Sequence, residues 1–352
     1  MQPKAIALAS KKDLTEVSKS VTLGGECDRV SKQQIMASAR NLTLALCSAA
    51  TASVVIALPS GVLSQTLPVA TSVQPNIFQA IILGMVQGLT EFLPISSTAH
   101  LKVIPVVLGW GDPGVAFTAV IQLGSIAAVL WYFWSDLSQI TVGAFTAIKE
   151  KNYKSYDLRL AIAIILGTLP IVFFGLLIKA FIPDFDNSPI RSLGAIAIAS
   201  IVMSLLLGLA EQIGKRKRDY QHLNIKDGIF MGLAQAVALI PGVSRSGSTL
   251  TAGLFIGLER AAAARFSFLL GIPAITLAGI VELKGALEQG ISNDGIVTMV
   301  IGVVSAAIFS YLAIAWLLKF LQTQNTWVFV WYRLAFGAAI LAAIATKLLP
   351  NL

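Results

Sequence analysis

The chain has 352 residues, 56% of them hydrophobic and only 12% charged, with a mean hydropathy of +0.78. Soluble domains carry about 25% charged residues, which excludes an ordinary soluble globular class. The net charge of +8 does not indicate nucleic-acid binding, because the basic residues gather in short loops between apolar runs, as the positive-inside rule expects.

Residues 1–41 mix Lys11, Lys12, Lys19, Arg29, Lys32 and Arg40 with Asp13, Glu16, Glu26 and Asp28. They show no apolar period and are expected to form a disordered tail. Residues 42–63 are apolar and small after Arg40, the pattern of a signal sequence or an extra first span. A start at Met36 would give that segment a short basic lead. Residues 64–75, with Pro68 and Pro75, read as a linker, so 42–75 is a signal-like segment plus linker. Cys27 and Cys47 precede the core and offer neither metal spacing nor a disulfide framework.

The core covers 76–350. Residues 77–94 and 97–111 are two half-length apolar segments split by Pro94 and a serine pair. Residues 115–134 form a full span ending in Trp131, Tyr132 and Trp134, an interfacial anchor. Residues 135–158 read as a loop with at most an amphipathic turn, carrying Lys149, Lys151 and Lys154. Residues 159–181 and 191–213 span, separated by an acidic turn with Asp184 and Asp186. The run Lys215, Arg216, Lys217 and Arg218 is most simply a topology signal. Two more half-length segments, 225–240 and 247–258, flank a Pro-Gly-Val-Ser-Arg-Ser stretch. Full spans follow at about 264–283, 295–320 and 327–348, their length set by the bilayer. Lys102, Arg260, Arg265 and Arg333 fall near the expected interfaces and are read as snorkelling to headgroups.

Placing the basic loops inside requires each split segment to be a re-entrant hairpin, the first entering from outside and the second from inside. Thirteen Lys and Arg then lie inside and five outside, leaving aside Arg245 and the tail. An internal repeat fits the same topology. Gly84-x-x-Gln87, a proline and Ser96 align with Gly232-x-x-Gln235, a proline and Ser244, and Phe117 aligns with Phe266. An odd number of crossings separates the copies, so they are inverted. The expected fold is therefore an all-α polytopic membrane protein. It has six transmembrane helices and two re-entrant helix hairpins in an inverted-topology repeat, about 76–213 and 224–350. Inverted-repeat proteins place their sites where such broken helices meet.

The chemistry concentrates at the breaks. Gln87 and Glu91 are four apart and share a helix face. Ser96, Ser97, Thr98 and His100 cluster where a second half-helix begins. A helix start offers free N–H groups and the positive dipole end to an anion. In the second stretch Ser244, Ser246, Ser248 and Thr249 surround Arg245, whose guanidinium forks onto phosphate. Ionisable groups at membrane depth are costly and mark function by default. Bland readings compete: hydroxyls in membrane helices usually pack, His100 could simply bond a neighbouring helix, and Glu91 could pair with Arg245 as a brace. The residues permit phosphoryl transfer, and equally the carriage of an anion without chemistry.

The stretches Gln87-Gly-Leu-Thr-Glu91-Phe-Leu-Pro-Ile-Ser-Ser-Thr-Ala-His100 and Pro241-Gly-Val-Ser-Arg-Ser-Gly-Ser-Thr249 closely resemble the two signatures of bacterial undecaprenyl-diphosphatases of the bacitracin-resistance type. The resemblance covers roughly 76–350 and includes Phe117–Gly124. It implies an integral membrane phosphatase of the bacterial inner membrane, with its active site toward the outer face. Such an enzyme converts undecaprenyl diphosphate to undecaprenyl phosphate and inorganic phosphate. It thereby recycles the carrier for peptidoglycan and confers bacitracin resistance. By motif position, Glu91, Ser97, His100 and Arg245 are the catalytic candidates. Glu91 is the acid of the first signature and Arg245 the holder of the diphosphate. Ser97 is the proposed nucleophile, with an activated water as the alternative, and His100 is a candidate base or acid. Gln87, Ser96, Thr98, Ser244, Ser246 and Thr249 support the substrate. The family pattern allows Glu or Gln at position 87. With Gln here a two-carboxylate metal site is doubtful, although one divalent cation, Mg²⁺ or Ca²⁺, is still expected between Glu91 and the diphosphate. The expected partners are a polyprenyl diphosphate and membrane lipids, not nucleic acid, and the oligomeric state is left open, a homodimer included. A lipid-phosphate flippase and a scaffolding membrane protein are the alternative classes.

Overall fold

The computed structural model describes residues 74–182, 188–289 and 293–351. The tail, the apolar segment 42–63, nearly all of the linker, and Asp184 and Asp186 lie outside the described residues.

Helix α1, Ile77–Phe92, starts at a reciprocal cap: Asn76 Oδ1 accepts from Gln79 N, and Gln79 Oε1 accepts from Asn76 N, both at 2.9 Å. It ends where Leu93 turns extended ahead of Pro94. Helix α2, Ser97–Val107, follows after four residues and stops before Gly109, which takes φ +66°. Sixteen and eleven residues rise about 24 and 16 Å, short of a hydrocarbon core of about 30 Å. The second broken pair repeats this arrangement as α7, Ile225–Val237, and α8, Arg245–Phe255.

Between the pairs run α3, Gly114–Tyr132; α4, Trp134–Lys149; α5, Tyr156–Phe181; and α6, Leu193–Ile213. After them come α9, Arg260–Gln289; α10, Asn293–Thr323; and α11, Trp327–Ala345. Five helices are long and apolar enough to cross a membrane, or six if α3 and α4, bent by 64°, count as one broken span. Among the described residues the sole β-contact is a bridge between Arg218 and Leu258. The chain is a multi-pass helical membrane protein, as its composition requires.

The stretch read as a loop at 135–158 is mostly helix. The chain bends at Phe133 and continues as α4, with Asp136 in the first turn and Lys149 in the last, both complementing the helix dipole. Ala144 and Ala147 bury against Leu158 of α5, while Val142, Phe145 and Ile148 stay exposed. Its polar content hid this helix from a reading based on long apolar runs.

Packing sets where the broken helices sit. Helix α1 lies against α10, and α7 against α5. Both contacts need glycine for close approach. A Cβ on Gly88 would stand 2.6 Å from the carbonyl oxygen of Ala306, and one on Gly232 2.5 Å from the Cα of Gly167. Any larger residue would push the half-helices outward.

Candidate active site

The two breaks share an unusual backbone. Ser96 and Ser244, each immediately before a second half-helix, take φ +75° and +70°. A non-glycine residue there is strained by about 1–3 kcal/mol and persists only where its surroundings over-determine it. Ser244 Oγ accepts from Gly247 N at 3.2 Å and caps α8. Ser97 and Arg245 therefore occupy the same place, the first residue of α2 and of α8 respectively.

The breaks meet over a cleft of about 160 Å³. Its polar lining is Glu91, Ser96, Ser97, Thr98, Gln122, Ser244 and Arg245. Its apolar wall includes Ile171, Ile240 and Ile275. At the centre, Arg245 Nη2 donates to Glu91 Oε1 at 2.8 Å, and Ser97 Oγ donates to Glu91 Oε2 at 2.7 Å. Arg245 Nη1 donates to the carbonyl of Gly271 on α9 at 3.1 Å. The Arg245 and Glu91 side chains are 14% and 11% exposed, so the pair is nearly buried yet open to a ligand on one side. One carboxylate thus holds a hydroxyl on one oxygen and a guanidinium on the other, in a cleft with an apolar wall.

The other expected residues stand behind this centre. Gln87 Nε2 donates to Glu91 Oε2 at 3.2 Å and to Ser125 Oγ at 3.4 Å, and Ser125 in turn accepts from Ser310. Ser246 Oγ donates to the carbonyl of Leu93 at 3.0 Å, tying the second hairpin to the first. Thr249 Oγ1 donates to the carbonyl of Arg245 at 2.8 Å and lies 2.5 Å from Ser267 Oγ.

His100 is buried away from the cleft lining. Its Nδ1–H donates to the carbonyl of Ser96 at 2.7 Å, which leaves Nε2 to accept from Tyr332 Oη at 2.6 Å. Its ring stacks on Phe336 at 4.3 Å. Both nitrogens are occupied, and the imidazole links the strained Ser96 to α11.

Arg333 departs furthest from expectation. It does not snorkel: its side chain is fully buried. Its Nη2 donates to the carbonyls of Gly242 at 2.7 Å and Val243 at 3.0 Å, its Nη1 to Pro94 at 3.1 Å, and its Nε to Ser200 at 3.3 Å. One guanidinium thus gathers main-chain acceptors from both breaks. Sequence reasoning missed this because Arg333 lies six residues, roughly 9 Å, into its helix, within snorkelling reach. Arg260 and Lys102 also find protein partners, Arg260 on the carboxylate of Glu211 and Lys102 on the carbonyl of Arg191. Arg265 pairs with Asp136 and lies over the Tyr220 ring.

Among the described residues no three His, Cys, Asp or Glu side chains converge as a metal-binding group. Glu91 is the single carboxylate of the cleft lining. This donor set does not fit a resident multi-carboxylate metal centre.

Fold and site together define a polytopic helical membrane protein with a cleft between two broken helices, lined by hydroxyls, one carboxylate and one guanidinium. The chain belongs to the bacitracin resistance protein BacA family, which it matches over residues 80–339. An undecaprenyl-diphosphatase of a Nostoc strain is 72% identical over 278 residues, 79% of this chain and 87% of the relative. The undecaprenyl-diphosphatase of Trichodesmium erythraeum is 66% identical over 284 residues, 81% and 91% of the two chains. That of Gloeobacter violaceus is 57% identical over 279 residues, 79% and 96%.

Proposed function

We propose that this protein hydrolyses undecaprenyl diphosphate to undecaprenyl phosphate and inorganic phosphate at the outer face of the bacterial inner membrane. The observation that carries this reading is the contact of Ser97 and Arg245 with the two oxygens of Glu91. Its relatives' shared name supplies the substrate. Recycling of the lipid carrier for peptidoglycan, and bacitracin resistance, follow as the physiological consequence.

The chemistry divides among these groups. The isoprenoid tail stays in lipid along the apolar wall, and the diphosphate enters the cleft. Arg245 and the N–H groups opening α2 and α8 neutralise phosphate oxygens, and such fixed donors are the main resource for phosphoryl transfer. Glu91 Oε2 takes the proton of Ser97 Oγ as that oxygen attacks the terminal phosphorus. The bond from that phosphorus to the bridging oxygen breaks, and the lipid monophosphate leaves. Water then cleaves the phosphoserine and restores the serine. His100 acts through position, holding the carbonyl of Ser96. A Mg²⁺ or Ca²⁺ ion, when bound, would be held by Glu91 and the substrate's own phosphate oxygens and would supply charge neutralisation.

Ser97→Ala is expected to lower the turnover of the purified protein by about 10³-fold while its melting temperature holds. Turnover above a tenth of wild type would assign the attack to water instead. Running the same assay with a chelator decides whether the ion is needed.

The inverted arrangement is supported by the matched positive φ of Ser96 and Ser244 and by the two glycine-mediated packings. In a variant with Cys27 and Cys47 replaced by serine, a cysteine at Asp112 is expected to react with an impermeant reagent in intact cells, and one at Lys217 only after permeabilisation. Labelling of both from the same side would refute the orientation. Movement of intact lipid diphosphate without phosphate release would favour the flippase reading.

A further inference from the structure

Six of the seven polar residues lining the cleft belong to the two broken helices. The seventh is Gln122, which comes from α3. Glu91 is already shared among Arg245, Ser97 and Gln87, while Ser97 and Arg245 are turned onto that carboxylate. Gln122 differs. It is half-buried, and among the described residues its amide has no hydrogen-bond partner. It stands three residues before Ser125, which anchors Gln87 from behind, so the two share one face of α3. Gln87 and Gln122 are thus two amides beside one site, the first committed to Glu91 and the second uncommitted.

We infer that Gln122 is a substrate-binding residue, donating its amide N–H groups to a non-bridging phosphate oxygen of the lipid diphosphate. This rests on the hydrolytic reading above for the ligand's chemistry but assigns a group that neither signature stretch contains. A neutral donor suits this position. It adds hydrogen bonds to a polyanion without bringing a second positive charge that would compete with Arg245 for the ion pair with Glu91. An amide contact made equally to substrate and transition state changes KM rather than kcat.

The test uses the purified full-length protein in detergent with a polyprenyl diphosphate, following phosphate release and, separately, calorimetric binding. Gln122→Ala is expected to raise KM and Kd about tenfold, with kcat within about twofold and the melting temperature unchanged. Gln122→Glu keeps the shape, removes the donors and adds a charge, so its KM is expected to rise about a hundredfold and to recover in part as pH falls. Wild-type KM and Kd in both variants would overturn the inference. Binding without phosphate release would sink the hydrolytic reading, and the Kd of the two variants would still decide the role of Gln122. No binding at all by the wild type would overturn both.

Discussion

Arg245→Ala is expected to reduce phosphate release by about 10³-fold or more, the range for removing an arginine that meets a transferring phosphoryl group. The loss has two sources. The variant removes the one cation of the cleft lining, and it leaves Glu91 as an uncompensated charge in a nearly buried setting. Breaking such a pair from one side destabilises by about 3–5 kcal/mol, so activity and melting temperature must be measured together. Arg245→Lys separates the two effects. It retains the charge but not the two-pronged donor that spans Glu91 and Gly271. The lysine variant is expected to melt near wild type and still lose about tenfold to a hundredfold in rate. If Arg245→Ala kept more than a tenth of the wild-type rate, Arg245 would not touch the diphosphate.

Arg333→Met should be the most damaging change outside the cleft. Four main-chain carbonyls, from Pro94, Ser200, Gly242 and Val243, lose their common donor. Each buried acceptor left unsatisfied costs about 1–3 kcal/mol, offset in part because methionine no longer buries a cation. A net loss of roughly 3–5 kcal/mol is expected, seen as a lower melting temperature in detergent. Activity should fall at least about a hundredfold, because the breaks carrying Ser97 and Arg245 lose their largest shared tie and are left with the Ser246–Leu93 and Arg245–Glu91 contacts, and a 1 Å misplacement costs about that much. Arg333→Lys, a point charge able to reach fewer of the four acceptors, should fall between. A methionine variant that melts and turns over like wild type would show that the breaks hold themselves.

Much of this was legible along the chain. Pro94 and Pro241-Gly242 break apolar runs, and such punctuation is local chemistry that needs no partner to be read. That Glu91 and Arg245 belong to one site, and that Glu91 could move a proton for Ser97, was legible; that the guanidinium and the hydroxyl each take a separate oxygen of that carboxylate was not. Helix α4 was missed because its surface is amphipathic and its apolar run short. In the sequence, His100 joins the site by its motif position and its place among the hydroxyls at the break, four residues after Ser96. That spacing directs its Nδ1 to the serine's own carbonyl instead, while its other nitrogen is taken by a residue 232 positions away.

The sequence alone determined the membrane setting, the helical class, the two breaks and the residue types gathered at them, because hydropathy and backbone punctuation act over a few neighbouring residues. Only the tertiary structure decided which polar groups share a cleft and which stand behind it. It turned Arg333 inward onto both breaks, set His100 into an aromatic stack and brought Gln122 to the open wall. The reason is physical. A side chain's partner in a helical membrane protein is chosen by the rotation and depth of a helix packed against others, and those are set by contacts from distant parts of the chain.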